Sequence, residues 1–113
     1  MPNNGGGNTY NVFIDGGNTG QNTTVSLNMH AWIDITVDTG EALSINNDPS
    51  LGIAGSSISN SGSISVNSAG GWTSLYVAGT VTFSDGGTVS MGNLWTNRII
   101  DNADANGHLI NAT

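Results

Sequence analysis

The sequence contains no cysteine, which excludes disulfide bonds and thiolate metal sites. Charge is also scarce: Arg98 is the only strong cation against eight Asp and Glu residues, and the formal net charge is −7. A polyanion is repelled by such a surface and releases few counterions on binding it. We therefore expect no nucleic-acid partner, and an anionic membrane surface is disfavoured for the same reason.

Long hydrophobic runs are also missing, so we expect no membrane insertion. The stretch after Met1 has neither a basic start nor an apolar core, and we expect no signal peptide in it. Abundant Asn, Gly, Ser and Thr with no cysteine is typical of secreted bacterial surface proteins. The composition therefore predicts an extracellular or cell-surface location, with this chain as a mature piece or an excised module.

What the sequence does contain is strict alternation of apolar residues over three to five positions, separated by Gly, Asn, Ser and Asp. Period-two alternation between turn formers is typical of short half-buried strands. It predicts an all-β domain over residues 10–113 after a flexible Gly/Asn-rich lead, residues 1–9. The predicted strands are Tyr10–Ile14, Thr24–Leu27, Ala31–Val37, Ala42–Ile45, Ser50–Ala54, Ser63–Val66, Ser74–Ala78, Thr80–Phe83, Thr88–Met91, Arg98–Ile100 and His108–Ile110.

The strands also recur at a period of about 20 to 25 residues, the size of one coil of a parallel β-solenoid. One predicted column contains Leu43, Ile64, Val89 and Leu109, and another contains Leu51, Leu75 and Ile99. The pattern favours a right-handed solenoid of about five coils. Similar stretches such as 58–62 and 64–68 suggest like residues stacked in successive coils, with Asn ladders at the turns. The alternative is an antiparallel β-sandwich, which also has many short strands.

A resemblance to a known class supports the solenoid. Residues 60–91 carry Asn60/Gly62/Ile64 and then the series Leu75, Val77, Gly79, Val81, Phe83, Gly86, Gly87 and Val89, and the C-terminal stretch carries Leu109/Asn111/Ala112. These steps resemble the parallel β-helix repeats of secreted bacterial adhesins and autotransporter passenger domains. The resemblance implies a structural or adhesive surface protein rather than an enzyme.

A solenoid has an unpaired strand at each end, and natural solenoids cover these edges with a cap. The sequence shows no amphipathic helix or charged, Pro-rich edge at either terminus. We therefore expect head-to-tail stacking of copies into a filament, or a place within a longer surface fibre. The expected cohesive elements are Tyr10–Ile14 and His108–Asn111.

No reaction centre stands out, and we expect no catalytic, cofactor or metal residues. Asp34 and Asp38 are expected on one solvated face, and Asp15, Asp48 and Asp85 precede Gly or Pro, as turn residues do. His30 and His108 lack zinc-binding spacing, and the other carboxylates are Glu41, Asp101 and Asp104. Calcium is the metal to consider, because Asp and Asn oxygens abound, but complete calcium-loop motifs are missing.

Two binding functions are alternatives. Trp32, Trp72, Trp95, Tyr10 and Tyr76 include aromatics suited to stack on sugar rings, which would make a carbohydrate-binding module. Ice binding needs Thr-x-Thr on successive coils, but that motif occurs once, at Thr80–Thr82. Its nearest equivalents are Ser63-Ile64-Ser65 and Thr88-Val89-Ser90.

Overall fold

The computed structural model describes residues 10–15, 22–27, 31–48, 50–54, 57–101 and 108–112. All regular structure in these residues is β. The strands are β1 (Asn11–Ile14), β2 (Thr24–Leu27), β3 (Ala31–Trp32), β4 (Asp34–Val37), β5 (Ala42–Asn46), β6 (Ser50–Ala54), β7 (Ser57–Asn60), β8 (Ser63–Asn67), β9 (Thr73–Ala78), β10 (Thr80–Ser84), β11 (Thr88–Met91), β12 (Asn97–Asp101) and β13 (His108–Asn111). The predicted lead, residues 1–9, lies outside the described residues.

The strands form three parallel sheets. The first sheet has the order β1-β4-β7-β10-β13, the second β2-β5-β8-β11 and the third β3-β6-β9-β12. The chain therefore visits the three sheets in turn and returns to the first one step further along the axis. This is a parallel β-solenoid, as the sequence predicted. The antiparallel sandwich is wrong, because every strand pair is parallel.

We call one set of three consecutive strands a rung. The described residues contain four rungs, β1–β3, β4–β6, β7–β9 and β10–β12, and β13 begins a further one. The expectation of about five coils was therefore too high. Paired residues in successive rungs are between 18 and 28 positions apart, as from Val25 to Leu43 and from Val81 to Leu109.

The inward columns largely follow the predicted alignment. Leu43, Ile64 and Val89 are paired in the second sheet, and Leu51, Leu75 and Ile99 are paired in the third. Leu109 was wrongly placed in the first of these columns, because it pairs with Val81 in the first sheet. A strand that follows β12 must return to the first sheet, since each rung visits the sheets in a fixed order.

Apart from one-residue shifts at strand ends, the structure differs from the predicted strands at two places. The predicted strand Ala31–Val37 is broken at Ile33, where the chain turns from the third sheet to the first. Ile33 is itself buried, and its amide donates to the carbonyl of Gly52, so the alternation continues through the corner. Strand β7 was not predicted, although its Ile58 is fully buried. This strand has a single aliphatic residue with Ser on both sides, so it shows no alternation of apolar residues from which a strand could be predicted.

The core is the space enclosed by the three sheets. Alternate side chains of each strand point inward, and the fully buried ones include Val37, Ile45, Leu51, Ile58, Ile64, Val66, Leu75 and Val81. Burying one such side chain contributes about 1.5–3 kcal/mol. These columns of aliphatic side chains hold the successive rungs together in a chain without disulfide bonds.

Polar side chains stack on the outer face of the second sheet. Ser44 pairs with Ser65, and Asn46 pairs with Asn67 one rung further. The Asn67 amide donates to the Ser65 hydroxyl at 3.1 Å, and Ser44 donates to Asn46 at 2.7 Å. Like residues thus stack across rungs as expected, but not between residues 58–62 and 64–68, which lie in β7 and β8 of the same rung.

The turns use residues that tolerate a left-handed backbone. Asp48 and Asp85 both have φ of 72°, which supports their interpretation as turn residues. Gly79, with φ of 72°, forms the corner between β9 and β10. Among the described residues, no helix is long and apolar enough to cross a membrane.

The core columns give a direct test. Ile64→Ala removes a fully buried side chain from the middle of a column, and we expect the free energy of unfolding to fall by about 2–5 kcal/mol. The control is Ser90→Ala on an exposed outward position of β11, which should change it by less than about 0.5 kcal/mol. Urea denaturation followed by circular dichroism measures both. Equal effects would contradict the assignment of the core.

Candidate functional site

A hollow lies at the β13 end of the solenoid. We call it the end cavity; its volume is about 290 Å³, and its lining includes Phe83, Val89, Met91, Ile99, Leu109 and Asn111. These residues come from β10, β11, β12 and β13. The end cavity therefore opens where the last described strands have no strand above them.

Inward residues of the last rung are exposed because of this hollow. Met91 is paired with Val66, yet Met91 is 53% exposed while Val66 is fully buried. Val89 and Ile99 are only half-buried, although their partners Ile64 and Leu75 are fully buried. The solenoid thus presents its apolar interior at this end.

Six strand edges are unpaired within the described residues. Strands β1, β2 and β3 form one end and have a single neighbour each, and so do β11, β12 and β13 at the other end. An unpaired edge is a template for another strand. The two elements predicted to be cohesive, Tyr10–Ile14 and His108–Asn111, include β1 and β13 and are thus two of these six edges.

The end strands carry little that would oppose pairing. None of these six strands contains Lys or Pro, the residues that commonly protect natural edges. Their only Asp, Glu or Arg residues are Arg98 and Asp101, both in β12. At the β1 end, Val12 is half-buried against the core and Val25 is 39% exposed. The inward positions of the end strands are therefore mostly aliphatic, with Asp101 and Asn111 as the polar exceptions, and the edges are weakly charged.

A second surface is the outer face of the third sheet, where aromatic side chains meet. The register stacks Trp32, Gly52, Tyr76 and Ile100 in one outward column. The rings of Trp32 and Tyr76 have centroids 6.1 Å apart across the glycine. A Cβ on Gly52 would lie 2.2 Å from Cε3 of Trp32, so glycine is required for the Trp32 ring to lie flat.

Trp72 and Trp95 form a separate pair, at the turns that lead into β9 and β12. Their rings meet edge to face, with centroids 4.8 Å apart. The guanidinium of Arg98 lies 4.2 Å from the centre of the Trp72 ring and donates to the Ser74 hydroxyl. One face of Trp72 is therefore covered, whereas Trp95 is 77% exposed. We call Trp32, Tyr76, Trp72 and Trp95 the aromatic face.

The turns that carry these two tryptophans are fixed to each other. The Thr96 and Ser68 hydroxyls are 2.6 Å apart, and Oδ1 of Asn97 accepts from the Ser68 amide at 2.7 Å. From the rung below, Oδ1 of Asn47 accepts from the Gly71 amide at 2.7 Å. Trp95 is thus held out from an anchored turn, which limits the entropy lost when a ligand binds.

The structure disperses most of the carboxylates. Asp38 is exposed and accepts from the Thr39 amide, whereas Asp34 is partly buried and one of its oxygens has no partner among the described residues. Glu41 is buried and accepts from the Thr23 amide at 2.6 Å, which ties two rungs together. Asp15 and Asp101 are exposed. The described residues contain no cluster of three His, Asp or Glu side chains that could hold a metal ion.

The histidines and hydroxyl-rich strands add no reaction centre. His108 is exposed on β13, and His30 and Asp104 lie outside the described residues. Ser63-Ile64-Ser65 does lie beside Thr88-Val89-Ser90, as the sequence suggested. Thr82, in contrast, pairs with Ser57 and Ile110, so the Thr-x-Thr motif is not repeated on the neighbouring strands.

Comparison with known proteins gives no match: no family model, no curated protein and no solved structure is similar to this chain. The resemblance to adhesin repeats therefore rests on the residue patterns, and the structure supports its solenoid fold.

The packing of Trp32 over Gly52 gives a second test. Gly52→Ala makes the new methyl group clash with the indole ring of Trp32. We expect a loss of about 1–3 kcal/mol in stability together with a changed near-UV circular dichroism signal. In a Trp32→Ala background the ring is gone, so the same change should cost at least about 1 kcal/mol less. Equal costs in both backgrounds would contradict this packing.

Proposed function

We propose that this chain is a non-enzymatic, extracellular structural or adhesive module that stacks end to end with copies of itself. The observation that supports this most strongly is the pair of open ends. One end presents the edges of β11, β12 and β13 around the end cavity, and the other presents β1, β2 and β3. A solenoid end is complementary to the opposite end of a second copy, because both carry parallel edges and inward apolar columns.

Stacking would repeat between subunits the interface that already exists between rungs. Backbone hydrogen bonds would continue along the axis, and half-buried residues such as Val12 and Val89 would become fully buried. Such an interface joins two different surfaces and does not close on itself, so it generates a filament rather than a ring of two. The near absence of charge on the end strands removes electrostatic repulsion at the junction.

The cell-surface setting is supported by the resemblance to adhesin repeats and by the composition. A surface rich in Asn, Ser, Thr and Gly, without lysine, suits a fibre in an extracellular matrix or sheath. The adhesive role follows from the same resemblance, and the partner of the module is first of all another copy of the chain.

Two variants with opposite defects test the assembly. Val12→Lys places a charge at the β1 end, and Met91→Lys places one at the end cavity. Neither variant alone should form filaments, because each has one charged end where an apolar contact is needed. Mixed in equal amounts, they should form discrete dimers, since each supplies one intact end. Negative-stain electron microscopy and sedimentation velocity distinguish these states from wild-type filaments.

The control is Ser65→Lys, which adds the same charge on the outer face of the second sheet and should leave filaments intact. Far-UV circular dichroism confirms that each variant is folded. Discrete particles from the wild-type chain, or filaments from both end variants, would overturn the proposal. The same samples with a calcium chelator test whether calcium contributes to the junction.

A second candidate function is carbohydrate binding, favoured by the exposure of Trp95 and by its edge-to-face contact with Trp72. Flat aromatic rings pack against the apolar C–H faces of sugars, and a rigid ring loses little entropy in doing so. The net charge of −7 disfavours acidic sugars, so the expected ligands are neutral glycans.

Trp95→Ala should abolish most binding to an array of neutral oligosaccharides while leaving filament formation unchanged. The matched control is Phe13→Ala, which removes another exposed aromatic from the outer face of the first sheet. Loss of binding in both variants, or in neither, would exclude the aromatic face as the glycan site.

A further inference from the structure

The number of strands restricts how two copies can stack. Three sheets share thirteen described strands, so the first sheet has five strands while the second and third have four each. The β13 end is therefore a step rather than a flat surface. β13 stands one strand spacing higher than β11 and β12, and the end cavity lies beside that step.

Stacking a second copy with its sheets in line fails at this step. If β2 of the second copy paired with β11, then β1 of that copy would lie at the level already occupied by β13 in the first sheet. If β1 instead paired with β13, the second and third sheets would each miss one strand at the junction. The end cavity would then be enclosed as a void, which costs stability.

A rotation by one sheet removes both problems. Beyond β13, the next positions along the coil lie in the second sheet, then the third, then the first. The strands β1, β2 and β3 of a second copy can occupy these positions in order. We propose, on the basis of the head-to-tail assembly proposed above, that the second copy docks turned by one sheet, so that its β1 pairs with β11.

The side chains of these two strands match. In β1, Val12 and Ile14 point to the core, and in β11 the inward residues are Val89 and Met91. Pairing in the same phase places Val12 over Val89 and Ile14 over Met91, which fills the end cavity with aliphatic side chains. The outward residues Asn11 and Phe13 then lie next to Thr88 and Ser90.

The other two contacts are in the same phase, and the one charged inward position among them is Asp101, which pairs with the buried Val77 and would lie next to Leu27 of the second copy. β2 would lie on β12, with Val25 over the half-buried Ile99. β3 would lie on β13, with Ala31 over Leu109. In this arrangement the junction has no missing strand, and thirteen strands on three sheets advance the filament by about 21 Å per subunit at ~4.8 Å per rung. In-line docking on β13 advances it by about 24 Å.

Disulfide trapping distinguishes the two arrangements, because the chain has no cysteine of its own. The double variant Asn11→Cys/Thr88→Cys brings the two thiols together across the junction only in the rotated arrangement. Asn11→Cys/Ile110→Cys brings them together only when the sheets are in line, because the register of the first sheet carries the column of Val12 through Ile35 and Phe83 to Asn111 and so places Asn11 over Ile110. Neighbouring strands place paired Cα atoms within the range that a disulfide needs. Within one chain, Asn11 lies at the opposite end from Thr88 and Ile110, so bonds form between copies.

After mild oxidation, we expect a ladder of covalent oligomers on a non-reducing gel for Asn11→Cys/Thr88→Cys and monomers for Asn11→Cys/Ile110→Cys. The reverse pattern, or filaments with no ladder from either variant, would overturn the rotated docking while leaving head-to-tail assembly intact. If the wild-type chain forms no filaments, both proposals fail together. Helical reconstruction of the wild-type filament provides the independent readout of the rise.

Discussion

The parallel hydrogen bonding between successive rungs is the constraint on which the rest of the structure depends. Because all strand pairs are parallel and in register, a residue that points inward on one rung lies over an inward residue on the next. A slip by one residue would turn a whole strand inside out, so the buried columns and the backbone pairing fix each other. The polar contacts between Ser44, Ser65 and Asn67 on the outside depend on the same register.

The same constraint makes the ends differ from the middle. A strand such as β8 has a neighbour on both sides and buries Ile64 and Val66 completely, while β11 repeats its alternation and leaves Met91 half in solvent. The difference lies in the position along the axis rather than in the residue types. An end strand such as β11 therefore repeats the inward alternation of an interior strand but lacks the second neighbour, and that is the physical basis for proposing a second copy as the partner.

The sequence predicted the fold well, since period-two alternation and recurring turns are local signals that survive in the structure. It predicted the corners less well. Ile33 continues the alternation while the chain changes sheets, and β7 contains a single aliphatic residue, Ile58, between serines. One strand, β7, was missed and two, β3 and β4, were merged into one, and Leu109 was assigned to the wrong sheet.

The candidate functional surfaces were harder to predict, because they depend on which rungs are neighbours. Trp32 and Tyr76 are far apart in sequence and meet only across Gly52, whose place between the two apolar residues Leu51 and Ile53 of β6 was the one available sign of a close approach. The end cavity lies beside β13, the fifth described strand of the first sheet, which has no described neighbour at its level in the other two sheets. A local sequence pattern indicates neither which strands of different rungs are neighbours nor how far along the axis β13 lies.

The two proposed functions use different directions of the same solenoid. Assembly uses the two end surfaces, which lie across the solenoid axis. The aromatic face lies on the side of the solenoid, on the outer surface of the third sheet. A filament would therefore leave Trp95 accessible and repeat it once per subunit. A single aromatic contact with a sugar is weak, but sites repeated along one fibre act together, and their combined affinity for a polymeric glycan rises without any new contact. Rotation by one sheet at each junction would place successive aromatic faces around the fibre rather than in one row, so such a fibre would bridge several glycan chains instead of lying along one.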